Sequence, residues 1–415
     1  MYVHQYLFYR LQLSRTAIHS PKIKRNQIQN YPKMIQITNK ADCCGCTACA
    51  SVCAHHAINM EPDALGFLYP KVDEKKCIDC GLCEKVCAFN SNYDRSLNLP
   101  SPKIYAARHK DIHEVETSRS GAAFIAISDY ILEQGGVVYG VGYTDHFRVV
   151  HKRATTKNER NDFKGSKYVQ SDLRGIFTLV KEDLRQGLTV LFSGTPCQTA
   201  GLTSYIGKRL RENLILVDIV CHGVPSPNIW KDYLTYLEKK YKQKIIKVDF
   251  RDKSRIGWNG HIESFVFENK MKKESTIYTY LFYSHIMLRP SCSKCYYTNY
   301  NRPSDFTLAD YWGWEKLSSE FNKDNKGCSL LFINTKKGEI CFEDIKRNLN
   351  IIASNKSICC QHNLKQPSIF CNKSQDFYKD YQYKGFNYIL KRYGNVGFRF
   401  FLRKLKNRIY KILKI

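Results

Sequence analysis

Eight of the chain's eighteen cysteines fall in two runs of one spacing, Cys43-x2-Cys46-x2-Cys49-x3-Cys53 and Cys77-x2-Cys80-x2-Cys83-x3-Cys87. Three thiolates on a tight loop can wrap three corners of an iron-sulfur cube, and in a two-cluster arrangement each run lends its fourth cysteine to the other cube. The spacing therefore predicts one [4Fe-4S] centre on Cys43, Cys46, Cys49 and Cys87, and a second on Cys77, Cys80, Cys83 and Cys53. Small residues within the runs, Gly45, Ala48, Ala50 and Gly81, let the backbone close around the sulfides. Ala54 and Ala88 stand where such runs usually carry proline, a departure that removes no ligand. Zinc and disulfides are the competing readings. Zinc favours paired C-x2-C units or Cys/His mixtures, and four cysteines in eleven residues, twice over, suit cubes better. Cys44, the extra thiol of the first run, reads as a spectator. The chemistry indicated is electron transfer.

Four later cysteines have distinctive settings: Cys197 in GTPCQ, Cys221 in CHGVPSP, and Cys292 with Cys295 in SCSKC. Two of them follow predicted strands, and ligands usually bind at the carboxyl ends of strands in an open α/β sheet. A C-x2-C pair and two loop thiols can complete a third cube. Ordinary buried cysteines at 197 and 221, with zinc at 292 and 295, remain the alternative. Cys328, Cys341, Cys359, Cys360 and Cys371 read as ordinary cysteines.

The elements that must position these thiols divide the chain. Residues 1–33 show neither sustained periodicity nor an apolar targeting core and read as a loose or mis-called extension, with Met34 an alternative start. A ferredoxin-like two-cluster module is expected over 34–92, with a short strand at Gly66–Val72 between the runs, and a Ser/Asn/Pro-rich linker at Asn90–Pro102 ends it. Beyond the linker, a helix is predicted at Ser120–Gly135, with strands at Val137–Tyr143, Leu188–Gly194 and Leu214–Val220. Alternating strands and helices point to a three-layer α/β arrangement, and the segment from about 245 reads as α+β. The fold class is α+β multidomain: a two-cluster module followed by a mixed α/β flavin-binding domain, the flavin resting on a resemblance described below.

With 415 residues, 43% hydrophobic and 13% aromatic, the chain is neither disordered nor fibrous. No run of eighteen apolar residues is present to span a membrane. Cluster thiolates need reducing conditions, so the expected compartment is the cytoplasm. The formal charge of +27 overstates the real one, because each four-thiolate cube carries roughly two net negative charges. Residues 1–33 hold six Lys/Arg and no acid, and residues 398–415 hold seven and no acid. No nucleic-acid recognition motif accompanies the charge. An acidic electron carrier or redox partner subunit, or an anionic membrane surface, suits it better.

The motifs KGSKYVQS (Lys164–Ser171), SGTPCQTAGL (Ser193–Leu202), VDIVCHGVPSP (Val217–Pro227), FRDKSRIGW (Phe250–Trp258) and SCSKCYYTNYNRPSDFTLADYWG (Ser291–Gly313) resemble, in order and spacing, the beta subunits of coenzyme F420 hydrogenase and dehydrogenase. The resemblance covers roughly residues 36–340. It divides the chain after the linker into an N-terminal-like domain at 103–200 and a C-terminal-like domain at 201–360. It implies a flavoprotein in which FAD exchanges hydride with a deazaflavin or another two-electron partner while clusters pass single electrons. Carried onto this sequence, the flavin-site candidates are Ser118, Ser120 and Gly121 in SRSG, Ser166, Lys167 and Tyr168 in GSKY, and Gly194, Thr195, Pro196 and Gln198 in GTPCQ. SRSG precedes a predicted helix whose N–H groups suit a phosphate, and Lys167 suits a phosphate or the charge of reduced flavin. A helix cap and a plain turn are the local alternatives. No GxGxxG fingerprint is present. His222 reads as a supporting or structural histidine rather than as a proton donor, and Asp310 and Trp312 are as well explained by packing and hydrogen bonding around the nearby C-x2-C as by chemistry.

Over 375–415 a basic helical tail is expected, its apolar face carrying Phe398, Phe401, Leu402, Leu405, Ile409, Ile412 and Leu413. It suits either the anionic inner membrane face or the protein's own core. The leading reading is an iron-sulfur flavoprotein oxidoreductase acting on F420 or on another small-molecule or glycan-linked substrate. The alternative is a non-enzymatic electron-transfer subunit of a larger redox complex.

Overall fold

The computed structural model describes residues 34–396, so the expectations for residues 1–33 and for the tail helix over 398–415 lie outside the described residues. In the N-terminal module, β1 (Ile58–Pro62) and β2 (Leu68–Val72) form an antiparallel hairpin. Its turn closes because Asp63 Oδ1 accepts from the amides of Leu65 and Phe67, each at 3.0 Å. The two cysteine runs each enter a short helix, Ala48–Val52 and Leu82–Lys85, through a left-handed residue, Thr47 and Gly81. Ile35, Ile58 and Met60 pack beneath them against Cys49 and Cys83.

The chain then contributes β3 (Asn98–His109), β4 (Val137–Thr144), β5 (Arg148–Ala154), β6 (Val190–Gly194) and β7 (Leu214–Ile219) to a large sheet. It leaves to build a three-stranded antiparallel sheet from β8 (Ile245–Asp249), β9 (Glu263–Phe267) and β10 (Lys272–Ser275), the α+β character expected from about 245. It returns with β11 (Phe306–Asp310), β12 (Ser329–Thr335) and β13 (Leu349–Ser354). The eight-stranded order is β13-β3-β12-β11-β7-β6-β4-β5, with β11, β7, β6 and β4 mutually parallel. Alternate residues serve opposite cores. Val190 and Phe192 of β6 meet the helices Ile176–Arg185 and Pro196–Ile206, whereas Leu191 faces the helices Ala123–Glu133 and Lys336–Ile345. Burial on both faces explains why these strands read as unbroken apolar runs. Truncating Phe192, wholly buried, would cost about 3–5 kcal/mol.

Two expectations differ from the structure. The anticipated linker ends at residue 97, because Asn98–His109 is a strand inside the sheet. Pro100 and Pro102 lack amide donors, and the strand accommodates them beside a register shift opposite Ile333–Thr335. The division at residue 200 falls within the helix Pro196–Ile206, and the large sheet draws strands from both sides of it. The helix Ser374–Tyr393, broken at Gly385, packs Phe377, Phe386, Ile389 and Leu390 into the core beside the helix Pro227–Tyr241.

Candidate functional site

The exchange of fourth cysteines expected from the spacing is what the geometry brings together. Cys53 joins Cys77, Cys80 and Cys83 around a cavity of about 20 Å3. The amides of Ile35 and Ala57 donate to the sulfurs of Cys83 and Cys53 at 3.3 and 3.4 Å, as hydrogen bonds to cluster thiolates would require. Burial pushes the Cys49 thiol well above its usual range, and its neighbours Cys46, Cys43 and Cys87 push the same way, which groups those four. Thiols give up their protons on binding metal, so both sets suit clusters chemically.

The third set also converges. Cys197 lies in the first turn of the helix after β6, and Cys221 lies just past β7, its parallel neighbour, so both occupy the same sheet edge. The 3-10 turn Pro290–Lys294 supplies Cys292, and Cys295 follows it. These four thiols and Cys44 line one cavity of about 30 Å3. Thr195 Oγ1 lies 3.2 Å from Cys197 Sγ, and the amides of Gly223 and Val224 donate to Cys221 and Cys292, both at 3.4 Å. Gly223, at φ +118°, has no room for a Cβ, which would lie 2.9 Å from Leu288. Among the described residues, no three His, Cys, Asp or Glu converge on a single ion position; the thiols surround volumes instead.

Cys44 lies between the first set and the third: its buried thiol stands beside both Cys197 and Cys46, which together push it well above its usual range. The neighbouring Cys44 thiol is the main influence drawing Cys197 down to about 7. Contact between these segments depends on Gly201, where a Cβ would lie 2.7 Å from Cys46 Sγ.

A larger cavity, about 410 Å3, adjoins the third set across Thr195 and the segment Cys221–Val224. Of the flavin-site candidates, Ser118, Ser120, Ser166, Lys167, Tyr168, Gly194, Thr195 and Gln198 line it. Gly121 instead packs on the sheet, where a Cβ would meet Ala107 O at 2.2 Å, and Pro196 lines the thiol cavity. The first turn of the helix Ala123–Glu133 lines the large cavity with no side-chain cap, and Ser118 Oγ is buried without a partner, two features that suit a bound phosphate. Other candidates are already committed. Ser120 Oγ donates to Cys328 O at 2.7 Å, and Gln198 caps its own helix by accepting from Thr195 N at 2.9 Å. Lys167 Nζ donates to the carbonyls of Asp162 and Lys164, and burial brings its ammonium down to about 7.

His222 lines both cavities, its Nε2 lies 2.6 Å from His285 Nε2, and burial, aided by His285, pushes it down to about 4. Asp310 and Trp312 line the large cavity: Asp310 accepts from Arg251 and from Trp258 Nε1 at 2.5 and 2.9 Å, and Trp312 stacks on Trp258. Motif reading missed Arg251, Arg119 and Arg289. The first lies within the motif FRDKSRIGW, and the last stands three residues before Cys292, but nothing in the neighbouring sequence gives either a role. A cleft of about 680 Å3 beside the linker reaches the thiol sets only at Cys87.

Residues 42–91 match the family model described as 4Fe-4S dicluster domain, and residues 187–357 match the one describing the C terminus of the coenzyme F420 hydrogenase/dehydrogenase beta subunit. No curated protein matches the chain. Among solved structures, it is similar to a chain of the xenon-derivatised F420-reducing [NiFe] hydrogenase complex from Methanosarcina barkeri, with 17% identity and a TM-score of 0.42 over 70% of this chain and 92% of that one. Residues 42–91 thus form a 4Fe-4S dicluster domain, and residues 187–357 a domain similar to the C terminus of the coenzyme F420 hydrogenase/dehydrogenase beta subunit, which makes the chain an iron-sulfur protein related to that subunit over its matched segments.

Proposed function

We propose that the chain is a flavoprotein oxidoreductase subunit with three [4Fe-4S] clusters and one FAD. The observation that carries this reading is the shared wall of the two cavities, Thr195 and Cys221–Val224, which leaves a flavin in the larger one beside the third thiol set. When bound, clusters pass single electrons and flavin converts them to two-electron chemistry. The protein's own residues order the route. Cys80 is exposed beside Ile78 and Leu82, at 62% and 42% exposure, and offers a docking end for an electron-carrier protein or partner subunit. The second set leads to the first, Cys44 links the first to the third, and the large cavity follows.

The uncapped first turn of the helix Ala123–Glu133 and Ser118 would hold the phosphates, and Lys167 and Tyr168, which line the same cavity, would serve the ring system. Trp312 and Tyr283, both about half exposed on the cavity wall, would receive the partner of the flavin, a deazaflavin such as F420 or another small or glycan-linked substrate. Thiolate clusters would suit a reducing compartment such as the cytoplasm. Contact with the inner membrane face would fall to the tail beyond the described residues, and no helix among the described residues is long and apolar enough to cross a membrane. Counting iron, sulfide and released flavin on anaerobically purified protein tests the proposal. About twelve iron atoms and one FAD per chain are expected; eight iron atoms without flavin would instead assign a non-enzymatic electron-transfer subunit.

A further inference from the structure

Arg289 is fully buried, at 0% exposure, and every nitrogen of its guanidinium is satisfied. Nε donates to Cys43 O, Nη1 to Gln170 Oε1 and Nη2 to Leu68 O, each at 2.8 Å, and Nη2 also points to Cys43 Sγ at 3.7 Å. The plane lies over Tyr69, 4.3 Å from the ring centroid. Gly45 makes room for it, since a Cβ there would lie 2.8 Å from Nη1. These partners neutralise no charge.

Other buried arginines differ. Arg160 pairs with Asp129, Arg211 with Asp305, Arg251 with Asp310 and Arg302 with Asp218. Among the described residues Arg289 has no carboxylate within ion-pair distance. An isolated buried cation is strongly unfavourable, so an anion belongs beside it. Two neighbouring sites offer one: the first thiol set, through Cys43, and the third, whose cavity Arg289 also lines.

We propose that Arg289 is the shared counter-ion of the first and third clusters and raises the reduction potential of both. The inference rests on the three-cluster reading above. Each cluster takes one electron from a low-potential carrier, and its four-thiolate unit passes from about two to about three net negative charges with no bond broken. A fixed positive charge between two such units favours the reduced state of each. Gln170 holds the guanidinium and ties it to the intervening loop, its Nε2 donating to Cys44 O at 2.9 Å. Arg289 is thus a positioning residue for charge and touches no substrate.

The test is an EPR-monitored redox titration of the full chain, purified anaerobically, as parent, Arg289→Met and Arg289→Lys, with iron counted in each. The iron count and spectra of the parent decide the three-cluster reading before any variant is compared. Arg289→Met should lower the reduction equilibrium constants of the first and third clusters at least tenfold, 59 mV for a one-electron couple. The second cluster, on Cys77, Cys80, Cys83 and Cys53, should not move, and Arg289→Lys should stay within threefold of the parent. Unmoved midpoints in Arg289→Met with iron intact overturn the proposal. Should Arg289→Met lose iron, recovery of the iron in Arg289→Lys supports the counter-ion role; equal loss in both assigns Arg289 to packing and overturns it.

Discussion

His151 anchors the loop that carries Cys197, and its protonation should loosen the fold. The ring is 3% exposed and stacks on Phe192 at 5.0 Å, nearly parallel. Its Nε2 lies 3.1 Å from Ser193 O, which requires Nε2 to donate, and Nδ1 then accepts from Ser171 Oγ at 2.9 Å. Ser171 Oγ in turn accepts from Gln198 Nε2, and Gln198 caps the helix bearing Cys197. An imidazolium would force Ser171 Oγ to turn its proton away from Nδ1, and burial brings His151 down to about 4 from the usual 6.5. Between those two values the unfolded chain binds more protons than the folded one, so stability rises with pH through that window. The contribution is fully present above pH 6.5 and declines as pH falls toward 4. At pH 5 the loss from this one group is about 2 kcal/mol relative to pH 7. Urea unfolding followed by tryptophan fluorescence, at pH 7 and pH 5, should show the parent losing about that much more stability than His151→Gln. Equal pH dependence in the two proteins would refute the buried neutral histidine.

Three other expectations concern different parts of the molecule. Replacing Gly201 by Ala must move Cys46 Sγ from 2.7 Å to the 3.4 Å at which ordinary contact begins; a destabilisation of about 1–3 kcal/mol should appear in urea unfolding, and a neutral result would mean that the module does not seat on that helix. Cys295→Ser should remove about four iron atoms per chain while leaving the EPR signals of the first two clusters, whereas unchanged iron would dismiss the third set as a cluster site. Glu263 has no cation among its partners, and burial raises it to about 7 despite hydrogen bonds from Thr279 and Tyr233. Its folded value exceeds the unfolded one, so it erodes stability as pH rises from about 4.5 to 7. Glu263→Gln should therefore gain on the parent between pH 5 and pH 8, by an amount on the order of 3 kcal/mol, and parallel denaturation profiles would contradict it.

What the sequence disclosed followed the range of the interaction. The eight-cysteine pattern is local, so the loops and the grouping of Cys53 with the second run were legible, as were β6 and β7, whose two buried faces give continuous apolar runs. Cys197 and Cys221 could be placed because sheet topology puts successive strand ends together. Arg289 and Cys43 are 246 positions apart, and no local pattern links them. Cys44 looked idle because its partner Cys197 lies far along the chain, outside the two-cluster module. β3 was hidden by its prolines, whose effect on an isolated segment suggests a linker, while its pairing with β12, and with β13 from Ile104 onward, overrides it.

The placement of β3 bears on how the protein is made. Its register partner Ser329 lies more than 200 residues beyond Ala107, and β13 follows later still. At about 5–20 residues per second, a nascent chain carries this strand with both edges unpaired for roughly 10–45 s on the ribosome. Exposed edges invite pairing with other chains. Pro100, Pro102 and Lys103 discourage such pairing, so the residues that disguise the strand in the sequence also guard it during translation.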